Sequence, residues 1–509
     1  MQATGRIKSA SKNIAAGYVS QGVSSLMGFV LRTVFIMKLP ETLLGVNSLY
    51  AGILSMLSLA ELGVGTAMNY SLYAPMAKGN TEKLKSYMAA YKKAYRVIAL
   101  VIAIVGLLLT PFLKYIVGAR DDITESQLIF YYLIFLFNTV STYFVSYKYG
   151  LCCAEQKNYI QTNILTATKI ITAMVQIVII LLTGNFTAYL LAGSVVQILQ
   201  VIYAGIFLDR KYPYLRDPRH EPLTNEETAD LKNKVKALLL HRIGDTARLQ
   251  TDSVIISSCI NVVTVAIVDN YNMVINTAAS LAGVIFNSVI TSFGNLIATE
   301  DREKQYDAFR IYRFAAVWIY GFLTAGFCAL LTPLVGGIWL GEKWMLGNLT
   351  VYLILTDFYF KGERIVLSNF KTAAGVFEPD RYLALIQGAV NLVLSVGLVL
   401  RIGLSGVYIG TVVSGLIANV TKPVIIYRYC FGKGSAGYFR DSAVFDIFTL
   451  GAVSLSVFLR TLIMKETTIF TFLATAAVIT VVFNGLFLLV FGRTYECKRI
   501  LGVLRRKRK

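Results

Sequence analysis

Leu109-Thr110-Pro111 closes one long apolar run, and Leu331-Thr332-Pro333 closes another 222 residues later. Proline lacks a backbone N–H and ends a helix, so a shared stop signal at this distance marks an internal repeat. The register persists further along the chain. Tyr147-Lys148 is echoed by Phe370-Lys371, and Glu155 and Tyr159 by Glu378 and Tyr382, each at a spacing of 223. Two like halves with a binding site at their interface is an architecture used by many membrane carriers, because one half can rock against the other.

Composition puts those halves in lipid. Of the 509 residues 56% are apolar and only 15% charged, with a mean hydropathy of +0.61. That is too little charge to coat a soluble globule of this size. About fourteen stretches are long enough to cross a bilayer core of about 30 Å. Backbone groups in lipid must be paired internally, and these runs are too long for barrel strands, so the expected fold is all-α and polytopic. The second and eighth stretches, 43–73 and 262–298, exceed what a bilayer needs and are expected to project from it or tilt strongly.

The repeat divides the spans into a six-helix bundle over 1–208 and another over 237–428. Between them lies the polar segment 209–236, containing Pro213, Pro218 and Pro222, which reads as a cytoplasmic linker with an amphipathic stretch over 225–236. Two further helices over 429–492 have no counterpart in the first half, and a basic tail over 493–509 ends in Arg505-Arg506-Lys507-Arg508-Lys509.

A formal charge of +20 in a soluble protein would suggest nucleic acid. Here most of the Lys and Arg fall on one side when both termini are placed in the cytoplasm, which is the positive-inside rule, and no nucleic-acid partner is expected. The tail reads as an anchor to anionic lipid head groups. The first span is interrupted by Gln21 and Arg32 and lacks a small-residue cleavage site, so it is expected to remain as a helix rather than act as a signal peptide. The six cysteines, Cys152, Cys153, Cys259, Cys328, Cys430 and Cys497, suggest no disulfide framework.

Several chemistries lack their residues. Gly432-Lys433-Gly434-Ser435 has neither the spacing nor the preceding strand of a phosphate-cradling loop. His220 and His241 are the only histidines, too few with no CxxC for a zinc or redox site, and no GxSxG elbow occurs. No enzymatic chemistry and no cofactor are expected.

Ionisable side chains within the spans are costly and so are candidates for function. Glu61, Lys169, Arg248 and Asp357 fall near mid-membrane, with Arg32, Asp252 and Asp269 nearer the outside. In the seventh span His241, Asp245, Arg248 and Asp252 follow the steps i, i+4, i+7 and i+11, so they share one helix face, with Arg242 beside its cytoplasmic end. Such a stripe faces the protein interior. It serves either as a set of internal ion pairs or as the wall of a watery cavity. The first span, its counterpart in the repeat, carries Ser20, Gln21, Ser24, Ser25 and Arg32, which places both helices beside one cavity. Arg and Lys there suit an anionic group, Arg as a bidentate fork to phosphate. Glu61 and Asp357 suit either coupling to protons or sodium, or salt bridges to Lys169 or Arg248. Asp269 and Asp446 read as structural. Most of the 30 Tyr and 29 Phe are core or interfacial belt.

Lys12-Asn13 before the first span, the run Leu59-Ala60-Glu61-Leu62-Gly63-Val64-Gly65-Thr66-Ala67 in the second, and the twelve-plus-two helix count resemble the polysaccharide transporter family. These are flippases for lipid-linked repeat units of O-antigen, capsule and exopolysaccharide, within the multidrug, oligosaccharidyl-lipid and polysaccharide exporter superfamily. The resemblance covers essentially the whole chain. It implies two six-helix bundles around a central cavity, with the substrate pyrophosphate held by cations, here Arg32, Lys169, Arg242 and Arg248. It also implies a bacterial cytoplasmic membrane, and polysaccharide polymerases or glycosyltransferases as partners. This chain departs from a purely cationic cavity, because Glu61, Asp245, Asp252 and Asp357 match the bases in number. Drug antiporters of the same superfamily share the repeat but usually stop at twelve helices and use an acidic cavity. A membrane-embedded polymerase would need a large extramembrane loop, and the outside loops here are short.

Overall fold

The computed structural model describes residues 3–118, 123–217, 221–229, 231–232, 235, 251–287, 289–376, 379 and 382–506. Among these residues every regular element is helical, and the chain divides into two compact units, Met1–Ala266 and Ile267–Lys509.

Unit 1 contains α1 (Ala3–Lys38), α2 (Glu41–Leu57), α3 (Leu59–Lys78), α4 (Thr81–Leu109), α5 (Leu113–Val117), α6 (Glu125–Ala154), α7 (Tyr159–Thr183), α8 (Phe186–Lys211) and α9 (Thr251–Cys259). The boundaries have local causes. Asn80 caps α4 by accepting from the Lys83 N–H, Thr124 and Gln127 form a capping box at α6, and Asn185 caps α8. Pro111 ends α4 in a short 3-10 turn. Helix α9, placed by the sequence in the second bundle, packs against α2 and α5.

Helix α10 (Val262–Asn287) crosses the boundary between the units. Unit 2 continues with α11 (Ile290–Thr299), α12 (Arg302–Thr332), α13 (Asn348–Ala374), α14 (Leu383–Ile402), α15 (Leu404–Ile426), α16 (Ala436–Ile463), α17 (Ile469–Phe491) and α18 (Tyr495–Arg506). The last three belong to the same compact unit as α12.

Ten helices among the described residues are long and apolar enough to cross a membrane, against the fourteen expected. The chain is a multi-pass membrane protein of all-α fold. The seventh expected span lies mostly outside the described residues. The tenth, α13, carries Asp357, Lys361, Glu363 and Arg364 among its apolar residues. The second and eighth are corrected more plainly, since neither is continuous. Ser58 sits at φ −71°, ψ 0° between α2 and α3, and its hydroxyl donates back to the Leu54 carbonyl at 2.8 Å. A serine bonded to the preceding turn competes with the helical ladder and bends the chain. The eighth span divides after Asn287 into α10 and α11.

Lipid tails are as apolar as leucine, so helices here associate by close packing and interhelical hydrogen bonds. Helices α14 and α15 show both. A methyl group at Gly410 would strike Ser395, whose hydroxyl donates to the Val407 carbonyl at 3.0 Å, and Gln387 donates to the Ser414 carbonyl at 2.8 Å. Helices α16 and α17 join α12 through aromatic rings. Trp318 stacks on Phe487 at 4.7 Å between centroids, its indole N–H donates to Asn484 at 2.9 Å, and Phe314, Phe483 and Phe491 are buried in the same cluster. Such ring pairs each contribute about 0.5–1.5 kcal/mol beyond area burial.

Candidate functional site

His241, Arg242, Asp245 and Arg248 lie outside the described residues. Of the other expected site residues, Arg32, Glu61, Lys169 and Asp252 belong to unit 1, and Asp357 belongs to unit 2.

In unit 1, α1 packs along α7, joined by the Thr166 hydroxyl donating to Ser20 at 2.6 Å. Ser20, expected on a cavity wall, is therefore engaged by the neighbouring helix. Lys169, one turn beyond Thr166, has an exposed side chain. Arg32 is half-buried on α1 and interacts electrostatically with Tyr189 of α8, which packs edge-on to Phe35 at 5.4 Å. Asp252 is half-buried on α9.

Lys12-Asn13 has a structural explanation. Asn13 accepts from the Tyr159 N–H at 2.8 Å and donates to the Gln156 carbonyl at 3.1 Å, while Lys12 lies 5.6 Å from the Tyr159 ring centroid. The pair fastens α1 to the turn between α6 and α7. Gln156 in that turn has φ +60°, a left-handed conformation uncommon for a residue with a Cβ.

Glu61 stands in the first turn of α3, immediately after the break at Ser58. Its carboxylate accepts hydrogen bonds from the phenols of Tyr95 on α4 and Tyr143 on α6. One turn on, Tyr91 donates to the Gly65 carbonyl at 3.0 Å and to Asn69 at 3.0 Å. A Cβ at Gly65 would come within 3.0 Å of the Tyr95 hydroxyl, so glycine lets the tyrosines approach. Among the described residues Glu61 has no basic partner, and Lys169 does not pair with it. A carboxylate held by phenols can exchange a proton or accept a small cation without breaking a salt bridge.

Asp357 differs. It is buried on α13 and pairs at 2.5 Å with Lys361 of the same helix. Lys361, four residues on, shares its helix face, while Arg248, one of the partners expected for Asp357, lies outside the described residues. Asp446 accepts from Tyr359 at 2.9 Å.

A buried polar network joining three helices of unit 2 had no counterpart in the sequence reading. Arg313 of α12 donates to the Tyr438 carbonyl at 3.0 Å and the Ser442 hydroxyl at 2.7 Å, both on α16, with Glu363 of α13 at 3.8 Å. Glu363 accepts from Ser442 and, at 3.3 Å, from the Tyr438 phenol. Arg364 donates to the Gly415 carbonyl at 2.6 Å and to Asn419 on α15. Arg313, Glu363 and Arg364 are each at most 5% exposed. Lys148 and Lys371, which the repeat had paired, are also buried. Charges inside apolar spans were the available signal for all five.

No family model matches the chain, and no curated protein sequence matches it. Solved structures do. The structure titled "Lipid II flippase MurJ, inward closed conformation" matches with TM-score 0.70 at 13% identity, covering 94% of this chain and 99% of that one. An inward-facing multidrug resistance MATE family transporter of the MOP superfamily matches with TM-score 0.59 at 15% identity, covering 80% and 96%. A point mutant of the Vibrio cholerae MATE transporter VcmN matches with TM-score 0.58 at 15% identity, covering 85% and 99%. The chain therefore has the fold shared by these transporters.

Proposed function

We propose that this protein is a flippase that moves a polyprenyl-pyrophosphate-linked oligosaccharide from the inner to the outer leaflet of a bacterial cytoplasmic membrane. The observation that carries the reading is the build of unit 2, where α16 and α17 are locked onto a transporter fold by the Arg313–Glu363 network and the Trp318 aromatic cluster. A solved lipid flippase matches 94% of the chain, which supports the same reading.

In this reading the pyrophosphate and sugars enter a cavity bordered by Arg32, Lys169, Arg242 and Arg248 while the polyprenyl tail stays in lipid. Rocking of the halves then exposes the head group outside. Guanidinium and ammonium groups replace the hydration of the pyrophosphate in the low-dielectric interior. Charge asymmetry supports a cytoplasmic position for both termini. The product would feed synthesis of O-antigen, capsule or exopolysaccharide, with a polymerase or glycosyltransferase as partner.

Glu61 favours a second reading, a cation-coupled drug antiporter of the same fold, because a carboxylate ringed by Tyr95 and Tyr143 suits proton or sodium exchange. Within the flippase reading the same carboxylate couples flipping to an ion gradient. The deciding experiment measures translocation of a fluorescent polyprenyl-pyrophosphate oligosaccharide in proteoliposomes, with and without proton and sodium gradients. Protein-dependent flipping supports the flippase. Its absence, together with gradient-driven uptake of an organic cation, selects the antiporter.

A further inference from the structure

Unit 1 holds a second cluster of cations, separate from the residues assigned above to translocation. Lys85, Ala89, Lys92 and Arg96 follow the steps i, i+4, i+7 and i+11 and share one face of α4. With Lys93, Lys148 of α6 and Arg216 of the turn Pro213–Arg216, they line a cavity of about 500 Å³. Three carboxylates answer two of these six cations, and one of them is Glu82, which pairs with Lys85 at 2.8 Å. Asp209 pairs with Lys148 at 2.7 Å, and Asp217 pairs with Lys85 at 2.9 Å. Among the described residues no ion pair engages Lys92, Lys93, Arg96 or Arg216. Four like charges around one void repel one another, and an anion between them would relieve that repulsion.

The height of the cluster identifies the anion's source. Val97 to Leu113 follows Arg96 with no ionisable side chain, about 25 Å of helix at 1.5 Å per residue. The cations therefore sit where hydrocarbon gives way to head groups. Val97, Leu100, Val101, Ile104 and Leu108 form an exposed apolar strip continuing from the cluster along α4, a track for acyl chains.

The repeat sharpens the contrast. At a spacing of 222, Lys92 and Arg96 correspond to Phe314 and Trp318. In unit 2 those positions are packed by protein, with Phe314 and Trp318 under α16 and α17. Unit 1 has no added helix pair, and its corresponding positions are charged and line a cavity.

We propose that this cavity binds the head group of a membrane lipid bearing two phosphates, with the acyl chains lying along α4. The chemistry fits a glycerol-bridged diphosphate phospholipid of the bulk bilayer or a polyprenyl pyrophosphate. The full-length protein in phosphatidylcholine nanodiscs, doped in separate arms with tetraoleoyl cardiolipin or a polyprenyl pyrophosphate, tests this by native mass spectrometry. The wild type should retain one diphosphate lipid, and the Lys92→Gln/Lys93→Gln/Arg96→Gln variant should bind it on the order of a hundredfold more weakly, three head-group cations having been removed. The control Lys78→Gln/Lys114→Gln should bind as the wild type does. The arm that shows the dependence names the source. Equal retention by wild type and triple variant overturns the proposal, as does binding of inorganic pyrophosphate without retention of either lipid. Should the triple variant fail to fold, Arg96→Gln alone should still weaken binding several-fold, and an unchanged affinity overturns the site. The assay reads equilibrium binding, so it stands or falls independently of translocation.

Discussion

The Arg313 guanidinium lies 3.7 Å from the centroid of the Tyr438 ring while it donates to the Tyr438 carbonyl, so one cation from α12 grips one residue of α16 from two sides. Glu363 completes the arrangement from α13, and all three side chains are almost fully withdrawn from solvent. A buried charge left without its partners costs far more than a surface one.

Removing either partner should therefore be severe. Glu363→Ala or Arg313→Ala is expected to destabilise the protein by about 3–5 kcal/mol, and the double variant by less than the sum. Thermal unfolding in detergent measures this. A loss below about 1 kcal/mol for Glu363→Ala would mean the network contributes little.

Glu61→Gln should leave insertion and folding intact but remove the dependence of transport on an imposed proton or sodium gradient. Tyr95→Phe and Tyr143→Phe should each weaken the coupling by several-fold through loss of a charge-assisted hydrogen bond of about 1.5–3 kcal/mol. Gradient-dependent transport in the glutamine variant as strong as in wild type removes Glu61 from coupling.

Lys169→Ala and Arg248→Ala are expected to abolish flipping of the pyrophosphate-linked substrate while the protein still reaches the membrane. Proteoliposome flipping with quantified insertion checks both. Normal rates in both variants would take the two residues out of the site.

Asn13→Ala should cost about 1–2 kcal/mol, since it removes both hydrogen bonds that hold α1 to the α6–α7 turn. Gln156→Gly should act in the opposite direction, raising stability by about 0.5–1 kcal/mol by relieving the left-handed backbone. A lower melting temperature for the glycine variant would show that the Gln156 side chain outweighs its backbone.

A further stabilising pair carries a pH signature. Burial pushes the Glu155 carboxyl up, but hydrogen bonds from Lys211 at 2.8 Å and Tyr212 at 2.9 Å, with the charge of Lys211 and the nearby Lys157, outweigh it and leave the group below its ordinary value of 4.5. Its folded pKa is depressed, so its contribution is full above about 4.5 and is lost as pH falls through the lower folded value. Lys211→Met should flatten the melting temperature between pH 6 and the acid limb relative to wild type, and unchanged acid sensitivity would exclude this pair as its source.

Much of the architecture was legible in the sequence because it rests on long-range periodicity. The apolar runs suffice to read an all-α membrane fold, and that signal needs no knowledge of packing. What escaped depended on local competition or on which helix is a neighbour. Ser58 breaks the second span through its own hydroxyl, a choice that leaves no mark on hydropathy. Asp357 pairs with Lys361 within α13, a partner that a linear reading did not name. Glu363 and Arg364 are adjacent in sequence yet bond to α16 and α15 respectively, a divergence that exists only once three helices are assembled.

The contacts of α16 also bear on how far the chain can be shortened. In a protein ending at Gly432, Glu363 would lose the hydroxyls of Ser442 and Tyr438, and Arg313 would lose the carbonyl and the ring it lies against. The helices before Gly432 would then be less than the minimum folding unit, because the third side of an ionic lock would be missing from a lipid environment that has no water to replace it.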